Sequence, residues 1–224
     1  FSDIEEDEEI SLVVETMGGT TPAYEFVKAA LLKGKHVVTS NKALVAAHGT
    51  ELLRIAREKK VNFFFEAAVG GGIPVIRTLG TGYQGQVITE ITGILNGTTN
   101  YILTRMDREG AEFGDVLADA QRLGYAERNP EADIEGHDSC RKIAILSSLV
   151  TGKEVNFEDV YTEGISKIDS TDFRYASELR ASIKLVGSAQ FAGDQVTVSV
   201  FPLLVSDENP LYAVHGVYNG IVIK

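Results

Sequence analysis

The stretch His36-Val37-Val38-Thr39-Ser40-Asn41-Lys42 decides the fold prediction, because a valine-rich strand ends there and a long helical pattern over residues 41–60 begins at once. On the amino-terminal side residues 10–15 read as a short buried strand, and on the carboxyl-terminal side residues 61–66 read as a third apolar strand. Residues 20–32 form a helical pattern that stops at Gly34, and the helix over 41–60 contains a possible break near Gly49. Strands that alternate with helices at this spacing predict βαβ units and a parallel sheet.

A sheet of this kind usually opens with a strand and a glycine-rich phosphate loop of the form G-x-G-x-x-G. No such loop follows the first strand here, and the cluster Gly70-Gly71-Gly72 lacks that spacing and leads into Pro74. We therefore expect the sequence to begin partway through a dinucleotide-binding domain.

The pattern changes after residue 66. Helices are predicted over residues 74–79, 98–108, 113–123 and 137–150, and strand-like runs over 86–95, 195–205 and 216–223. The predicted fold class is α/β: a partial Rossmann-like parallel sheet over residues 1–66, followed by an α+β domain with a mixed sheet over residues 67–224.

Composition excludes several classes of protein. Of 224 residues, 44% are hydrophobic and 24% charged, as in ordinary globular domains, and 21 Lys and Arg oppose 32 Asp and Glu for a net charge of −11. That balance disfavours nucleic acid and membrane surfaces as partners, and no apolar run reaches the ~20 residues of a membrane span.

The single cysteine, Cys140, excludes an intrachain disulfide and a zinc site of several thiolates. Together with an acidic start that lacks signal-peptide features, it predicts a reducing, cytoplasmic location.

The densest group of ionisable side chains lies in residues 124–142. Asp138 and Lys142 are four residues apart on a predicted helix and share one face, while Glu127 lies upstream and can fold back toward them. Two carboxylates and an ammonium could hold the ammonium group of an amino acid and leave the lysine facing a reacting oxygen. Such a lysine acts as acid or base only where burial or a neighbouring cation lowers its pKa. The competing interpretation is a solvated ion pair on the helix surface.

Other candidates also have two interpretations. Lys42 follows a strand end where ligands bind in open α/β sheets, or it is a solvated residue of the first helical turn. Glu66 is a ligand or the partner of an arginine, and Gly70-Gly71-Gly72 is a ligand loop or a hinge. For residues 96–100 the favoured interpretation is a helix cap, and the other is a wall of the substrate pocket. For Cys140 the favoured interpretation is a small buried hydrophobic residue rather than a nucleophile.

Four segments carry a resemblance to a known family: Thr39-Ser40-Asn41-Lys42-Ala43, residues 66–74, residues 93–103 with Asn96-Gly97-Thr98-Thr99-Asn100 at their centre, and residues 124–142. In this order they resemble homoserine dehydrogenase, over about residue 11 to the last residue. The resemblance implies an oxidoreductase that interconverts L-homoserine and L-aspartate 4-semialdehyde with NAD or NADP. It implies a place in threonine, methionine and isoleucine biosynthesis.

The resemblance also implies roles for individual residues. Lys142 is the expected proton donor and acceptor at the substrate hydroxyl, and Glu127 and Asp138 are the expected homoserine ligands. Lys42 and Gly124 are expected at the cofactor. The expected site for a monovalent cation, usually sodium, comprises Glu66, Val69, Gly71 and Ile73. Residues 1–66 would then be the second part of the NAD(P)-binding domain, and residues 67–224 the substrate-binding, catalytic and dimerisation domain of a homodimer or larger oligomer.

Two departures from the family concern the cofactor site. The family's first strand with its phosphate loop precedes the matched region, and a glycine-rich segment that closes over the cofactor follows it. We therefore expect little or no turnover from these 224 residues alone. Two other functions stay open: a semialdehyde dehydrogenase that works through Cys140, and a dimerising scaffold that has lost its cofactor.

Overall fold

The computed structural model describes residues 1–83 and 85–224, and residue contacts divide the chain into two units. The first unit comprises Phe1–Gln86 and Ala144–Glu158, and the second comprises Val87–Ile143 and Asp159–Lys224. The domain boundary at residue 66 stays a prediction; by its contacts, the segment 67–86 belongs with the first unit.

A parallel sheet of three strands forms the centre of the first unit, as the sequence predicts. Its order is β1-β2-β3, with β1 at Leu12–Glu15, β2 at His36–Thr39 and β3 at Phe63–Phe64. The helices that lie entirely in this unit are α1 (Ser2–Glu6), α2 (Ala23–Leu32), α3 (Lys42–Lys59) and α4 (Val75–Arg77). The crossover helices α2 and α3 bury Leu31, Leu44 and Leu52, so an apolar face of each helix lies in the core.

Two strands differ from the prediction. The sequence predicts a buried first strand, but Leu12 and Val14 are 50% and 59% exposed, because β1 is an edge strand with one face uncovered by the described residues. The third strand spans two residues rather than six, since the chain turns into a 3-10 helix at Glu66–Ala68.

Helix α3 runs unbroken through Gly49, so the predicted break is wrong. The Asn41 side chain caps its first turn by accepting the N–H of Leu44 at 3.1 Å. Gly49 is buried, and a Cβ there would lie 3.1 Å from Cγ1 of Val45. The glycine therefore leaves room for the valine side chain one turn earlier.

The second unit contains a mixed sheet, as predicted, but the sheet has five strands where the sequence predicts three. The order is β5-β7-β6-β4-β8, and the strands are β4 (Glu90–Ile94), β5 (Tyr161–Thr162), β6 (Ala181–Ala192), β7 (Gln195–Ser206) and β8 (Gly220–Ile223). Strands β5 and β7 pair in parallel, whereas β4 pairs antiparallel with both β6 and β8. Strands β6 and β7 form a long antiparallel hairpin with Ala181 opposite Ser206 and Ala192 opposite Gln195.

The remaining helices are α5 (Gly97–Glu109), α6 (Phe113–Arg122), α7 (Glu131–Ile134), α8 (His137–Thr151) and α9 (Ser170–Glu178). Helix α5 buries Ile102, Leu103 and Met106. Helix α6 ends at Arg122, one residue before the predicted end, and Leu123 beyond it is half exposed. Within the described residues no helix is both long and apolar enough to cross a bilayer. The cytoplasmic location stays a prediction.

Candidate functional site

The turn between β4 and α5 lies at the centre of the candidate site. Its Asn96 side chain caps α5 by accepting the N–H of Thr99 at 2.8 Å. The amide of the same side chain donates to Asp133 Oδ1 at 2.7 Å and to Asp138 Oδ2 at 2.9 Å. Asn96 is 5% exposed, so one buried amide links the start of α5 with carboxylates of α7 and α8.

Lys142 reaches into this network from the second turn of α8. Its Nζ lies 2.7 Å from Asp138 Oδ2 and donates to the carbonyl oxygen of Leu95 at 2.7 Å. The Lys142 and Asp138 side chains are 15% and 4% exposed, so the pair is mostly buried rather than solvated. An ammonium has three N–H donors; two face these acceptors, and the third has no acceptor among the described residues.

The backbone before α8 sets the positions of the Asp133 and Asp138 carboxylates. Gly136 joins α7 to α8 at φ +82°, a left-handed conformation that glycine adopts without strain. Asp138 then lies in the first turn of α8, where the helix dipole stabilises a carboxylate. The N–H of Ile165 donates to the carbonyl oxygen of Ile134 at 2.7 Å and ties α7 to the following segment.

Glu127 and Gly124 lie on the exposed loop before α7. The Glu127 carboxylate makes no hydrogen bond or ion pair with the described residues; its carbonyl oxygen accepts from Gln121 Nε2 at 3.1 Å. Gly124 follows α6 at φ +79°. The structure thus brings Asp138 and Lys142 together and leaves the Glu127 carboxylate apart from both.

Lys42 lies in the first unit, as the first residue of α3 and directly beyond the carboxyl end of β2. Next to it, the Thr39 hydroxyl donates to Glu15 Oε2 and accepts the N–H of Asn41 at 2.9 Å. Glu15 is buried, and its Oε1 has no hydrogen-bond partner within the described residues. The sequence does not single out this carboxylate, because Glu15 ends a strand whose pattern is otherwise apolar.

The loop after β3 contains the residues expected to hold a cation. The Glu66 oxygens accept the N–H groups of Ile76 and Arg77, both at 2.9 Å, and thereby cap α4. The carbonyl oxygens of Val69 and Gly71 accept no hydrogen bond within the described residues. Loop residues Gly70 and Gly71 adopt φ +85° and +59°, which turns the chain tightly. Carboxylate and carbonyl oxygens of this kind are the ligands that a hard cation prefers.

Residues 80–85 do match the G-x-G-x-x-G pattern, which the sequence interpretation overlooked. The structure places Gly80 and Gly82 in the helical turn Thr78–Gly82, and Gln84 lies outside the described residues. A phosphate loop joins a strand to the start of a helix. Gly80 and Gly82 instead follow α4 within a helical turn, so this match lacks that context.

Cys140 does not provide a reactive thiolate. Its side chain is buried, and burial raises the pKa of the thiol. Low-pKa cysteines are the reactive ones, so the structure favours the interpretation of Cys140 as a core residue. Among the described residues, no group of three or more His, Cys, Asp or Glu is placed to bind a metal.

We expect an Asn96→Ala variant of the full-length protein to lose about 3 kcal/mol of unfolding free energy, measured by urea denaturation. The loss combines a missing helix cap, about 1 kcal/mol, with the donor lost to the buried Asp138 and the partly buried Asp133, about 1–3 kcal/mol. Asn209→Ala is the matched control, since Asn209 caps the short 3-10 turn Pro210–Ala213 through the N–H of Leu211. Equal losses in the two variants would contradict a linking role for Asn96.

Two family models match the chain. The model described as "Homoserine dehydrogenase" matches residues 74–224, and that described as "Homoserine dehydrogenase, NAD binding domain" matches residues 1–66. The homoserine dehydrogenase of Synechocystis sp. is 47% identical over 221 residues, which cover 97% of this chain and 51% of that protein. This chain thus spans about half the length of the curated relatives it matches.

Solved structures of homoserine dehydrogenases are also similar to this chain. The homoserine dehydrogenase of Thiobacillus denitrificans superposes with a TM-score of 0.94 at 47% identity, over 99% of this chain and 52% of that one. A hyperthermophilic archaeal homoserine dehydrogenase in complex with NADPH superposes with a TM-score of 0.83 at 32% identity, over 99% and 64%.

Proposed function

The chain belongs to the homoserine dehydrogenase family, and we propose that the full-length protein interconverts L-homoserine and L-aspartate 4-semialdehyde with a nicotinamide cofactor. This reaction serves threonine, methionine and isoleucine biosynthesis. The observation that carries the proposal is the Lys142 ammonium, mostly buried between Asp138 and the Leu95 carbonyl, with one N–H directed at neither.

Lys142 is the proposed acid and base. Oxidation of an alcohol removes the hydroxyl proton as hydride leaves the same carbon, so a base has to lie within hydrogen-bond distance of the oxygen. The neutral amine of Lys142 takes that proton during oxidation and becomes the ammonium, which returns the proton during reduction of the semialdehyde. A nicotinamide cofactor, when bound, would supply the hydride chemistry. Asp138 and the Leu95 carbonyl keep the nitrogen in place in both protonation states.

Asp138 and Glu127 are the proposed ligands of the substrate ammonium group. Asp138 is already fixed by Asn96, whereas the exposed Glu127 carboxylate has no partner among the described residues and can bind a cation. We expect Glu127→Gln to raise the KM for homoserine about tenfold with little change in kcat, because it removes a binding contact. Glu112→Gln, also on an exposed loop, is the control in the same steady-state assay; an unchanged KM for Glu127→Gln would contradict the assignment.

Lys42 and Gly124 are the proposed contacts to NAD or NADP. Lys42 lies at the carboxyl end of a parallel strand, where ligands bind in open α/β sheets, and residues 1–66 match the NAD-binding domain of the family. Gly124 lacks a side chain and could approach a ligand through its backbone. Either NAD or NADP is compatible with these positions.

A monovalent cation, sodium by preference, is the proposed ligand of Glu66, Val69, Gly71 and Ile73. The carbonyls of Val69 and Gly71, which accept no hydrogen bond within the described residues, and the remaining lone pairs of the Glu66 carboxylate support this site. We expect sodium chloride to raise the melting temperature of the full-length protein more than tetramethylammonium chloride at equal ionic strength. Glu66→Ala should abolish the difference; a difference that persists in this variant would place the sodium effect elsewhere.

A homodimer or larger oligomer is proposed through the five-stranded sheet. Tyr161 on β5 is 62% exposed, and its ring lies edge-on to Phe201 of β7 on the same face of the sheet. An exposed aromatic sheet face is typical of a surface that pairs with another copy. Light scattering of the full-length protein measures the mass of the assembly and tests this proposal.

The activity itself is tested with purified full-length protein, L-homoserine and NAD or NADP, by following the reduced cofactor spectroscopically. Homoserine-dependent reduction is expected, and L-serine, one carbon shorter, should react poorly. The absence of reduction with both cofactors in sodium-containing buffer would overturn the proposal. The 224-residue chain alone is expected to turn over slowly or not at all, since it spans about half the length of its relatives.

A further inference from the structure

Lys184 is a buried charged residue that the proposed chemistry does not use. It lies on β6 and is 1% exposed. Its Nζ donates to the carbonyl oxygen of Val214 at 2.7 Å and lies 3.4 Å from His215 Nδ1. Burial lowers the pKa of Lys184 to about 8, with Asp107 opposing and Arg108 adding to that change. Burial and the neighbouring Lys184 also lower the pKa of His215, so at neutral pH a charged lysine faces a neutral imidazole.

Burying this ammonium costs free energy that a methionine of similar volume would not cost, because a charge loses its water and forms no ion pair with a carboxylate of the described residues. A lysine at this position is therefore poorly explained by core stability. What it does provide is a strong hydrogen bond to one defined carbonyl.

That carbonyl begins a segment, residues 214–218, that follows the first two turns of α5. Asn100 Nδ2 donates to the carbonyl oxygens of Val214 at 3.3 Å and Tyr218 at 3.1 Å. One turn further along, Thr104 Oγ1 accepts the N–H of Gly216 at 3.0 Å. Lys184, Asn100 and Thr104 thus hold the segment against the helix.

The held segment lies directly against the start of α5. A Cβ at Gly97 would come within 2.7 Å of the Val217 carbonyl oxygen, so the two backbones are in close contact there. Gly97 follows Asn96, whose amide holds Asp138 beside Lys142. A shift of the segment would therefore be transmitted through one peptide unit to the side chain that orders the candidate site.

We propose that Lys184 is a positioning residue for the homoserine reaction: it fixes residues 214–218 against the first turn of α5 and thereby fixes Asn96. This inference rests on the proposed function. Lys184 itself touches neither substrate nor cofactor, and it acts through backbone placement alone.

The test compares Lys184→Met and Thr104→Val variants of the full-length protein, which release the segment at two independent points. For Lys184→Met we expect kcat/KM for homoserine to fall about ten- to hundredfold, since small misplacements of reacting groups have effects of that size. The melting temperature should stay equal or rise, and the Kd for NADPH, measured by fluorescence, should not change. Thr104→Val should also lower kcat/KM, and the double variant should lose less than the product of the two single effects.

Lys167→Met is the control, because Lys167 is an exposed lysine of the same unit. Wild-type kcat/KM in both test variants would overturn the inference. So would a Lys184→Met variant that loses thermal stability and NADPH binding together with activity, while Thr104→Val keeps wild-type kinetics, since Lys184 would then serve folding alone. If the wild-type protein itself were inactive on homoserine, the proposed function would be overturned. That failure is distinguishable from a failure of the Lys184 inference, because it appears without any substitution.

Discussion

A Lys142→Met variant of the full-length protein is expected to lose about a thousandfold in kcat for homoserine oxidation with little change in KM. Methionine fills a similar volume but cannot accept or donate a proton. The loss should therefore appear in the chemical step, while Asp138 and Glu127 still bind the substrate. Steady-state kinetics in both directions measure the effect, and the reduction of the semialdehyde should suffer equally.

Lys142→Arg separates proton transfer from charge. Arginine keeps the positive charge beside Asp138 but does not give up its proton in proteins, so this variant should be about as inactive as Lys142→Met. Lys167→Met, at an exposed position, should behave as the wild type. A raised KM with a preserved kcat would contradict the assignment of Lys142 as acid and base.

Gly164→Ala is expected to destabilise the full-length protein by about 3 kcal/mol, through overpacking against rigid atoms. A Cβ at position 164 would overlap the carbonyl oxygen of Ile134 and the Cα of Glu135. Both are backbone atoms, so α7 has to move as a whole. Because Asp133 lies in α7 and accepts from Asn96, we also expect weaker homoserine binding. Urea denaturation and the KM for homoserine measure the two effects.

Gly114→Ala is the matched control for this change. Gly114 lies in α6, and a Cβ there would meet no described atom within 4 Å apart from its chain neighbours and the backbone of its own helix. Alanine at this position should stabilise the helix by up to about 1 kcal/mol. If both alanine variants were equally stable, the close approach at Gly164 would not constrain α7.

The fold could be predicted where the local pattern of apolar residues indicates which side chains are buried. Valine-rich β2 and the helix after it predict the parallel sheet correctly, because the alternation of strand and helix leaves few other topologies. The break predicted at Gly49 is wrong because helix propensity says nothing about the valine packed one turn earlier. The predicted length of β3 is wrong because a run of phenylalanines shows burial, whereas the strand's end depends on the turn at Glu66.

The candidate site was predictable only in part. Asp138 and Lys142 are four residues apart, so helix geometry alone brings them together. The double role of Asn96 depends on carboxylates 37 and 42 residues further along the chain, and the partners of Lys184 lie 30 and 31 residues away. Contacts at such separations leave no periodic signal, so the sequence identifies Asn96 as a cap and assigns Lys184 no role.

The edge position of β1 has a practical consequence for anyone who purifies the 224-residue chain. Its outer edge pairs with no described strand, and two of its four side chains are apolar and exposed, a combination that favours intermolecular strand pairing and aggregation. The net charge of −11 opposes that process by repulsion between molecules. Because added salt screens this repulsion, aggregates of the chain should form faster as the ionic strength of the buffer rises.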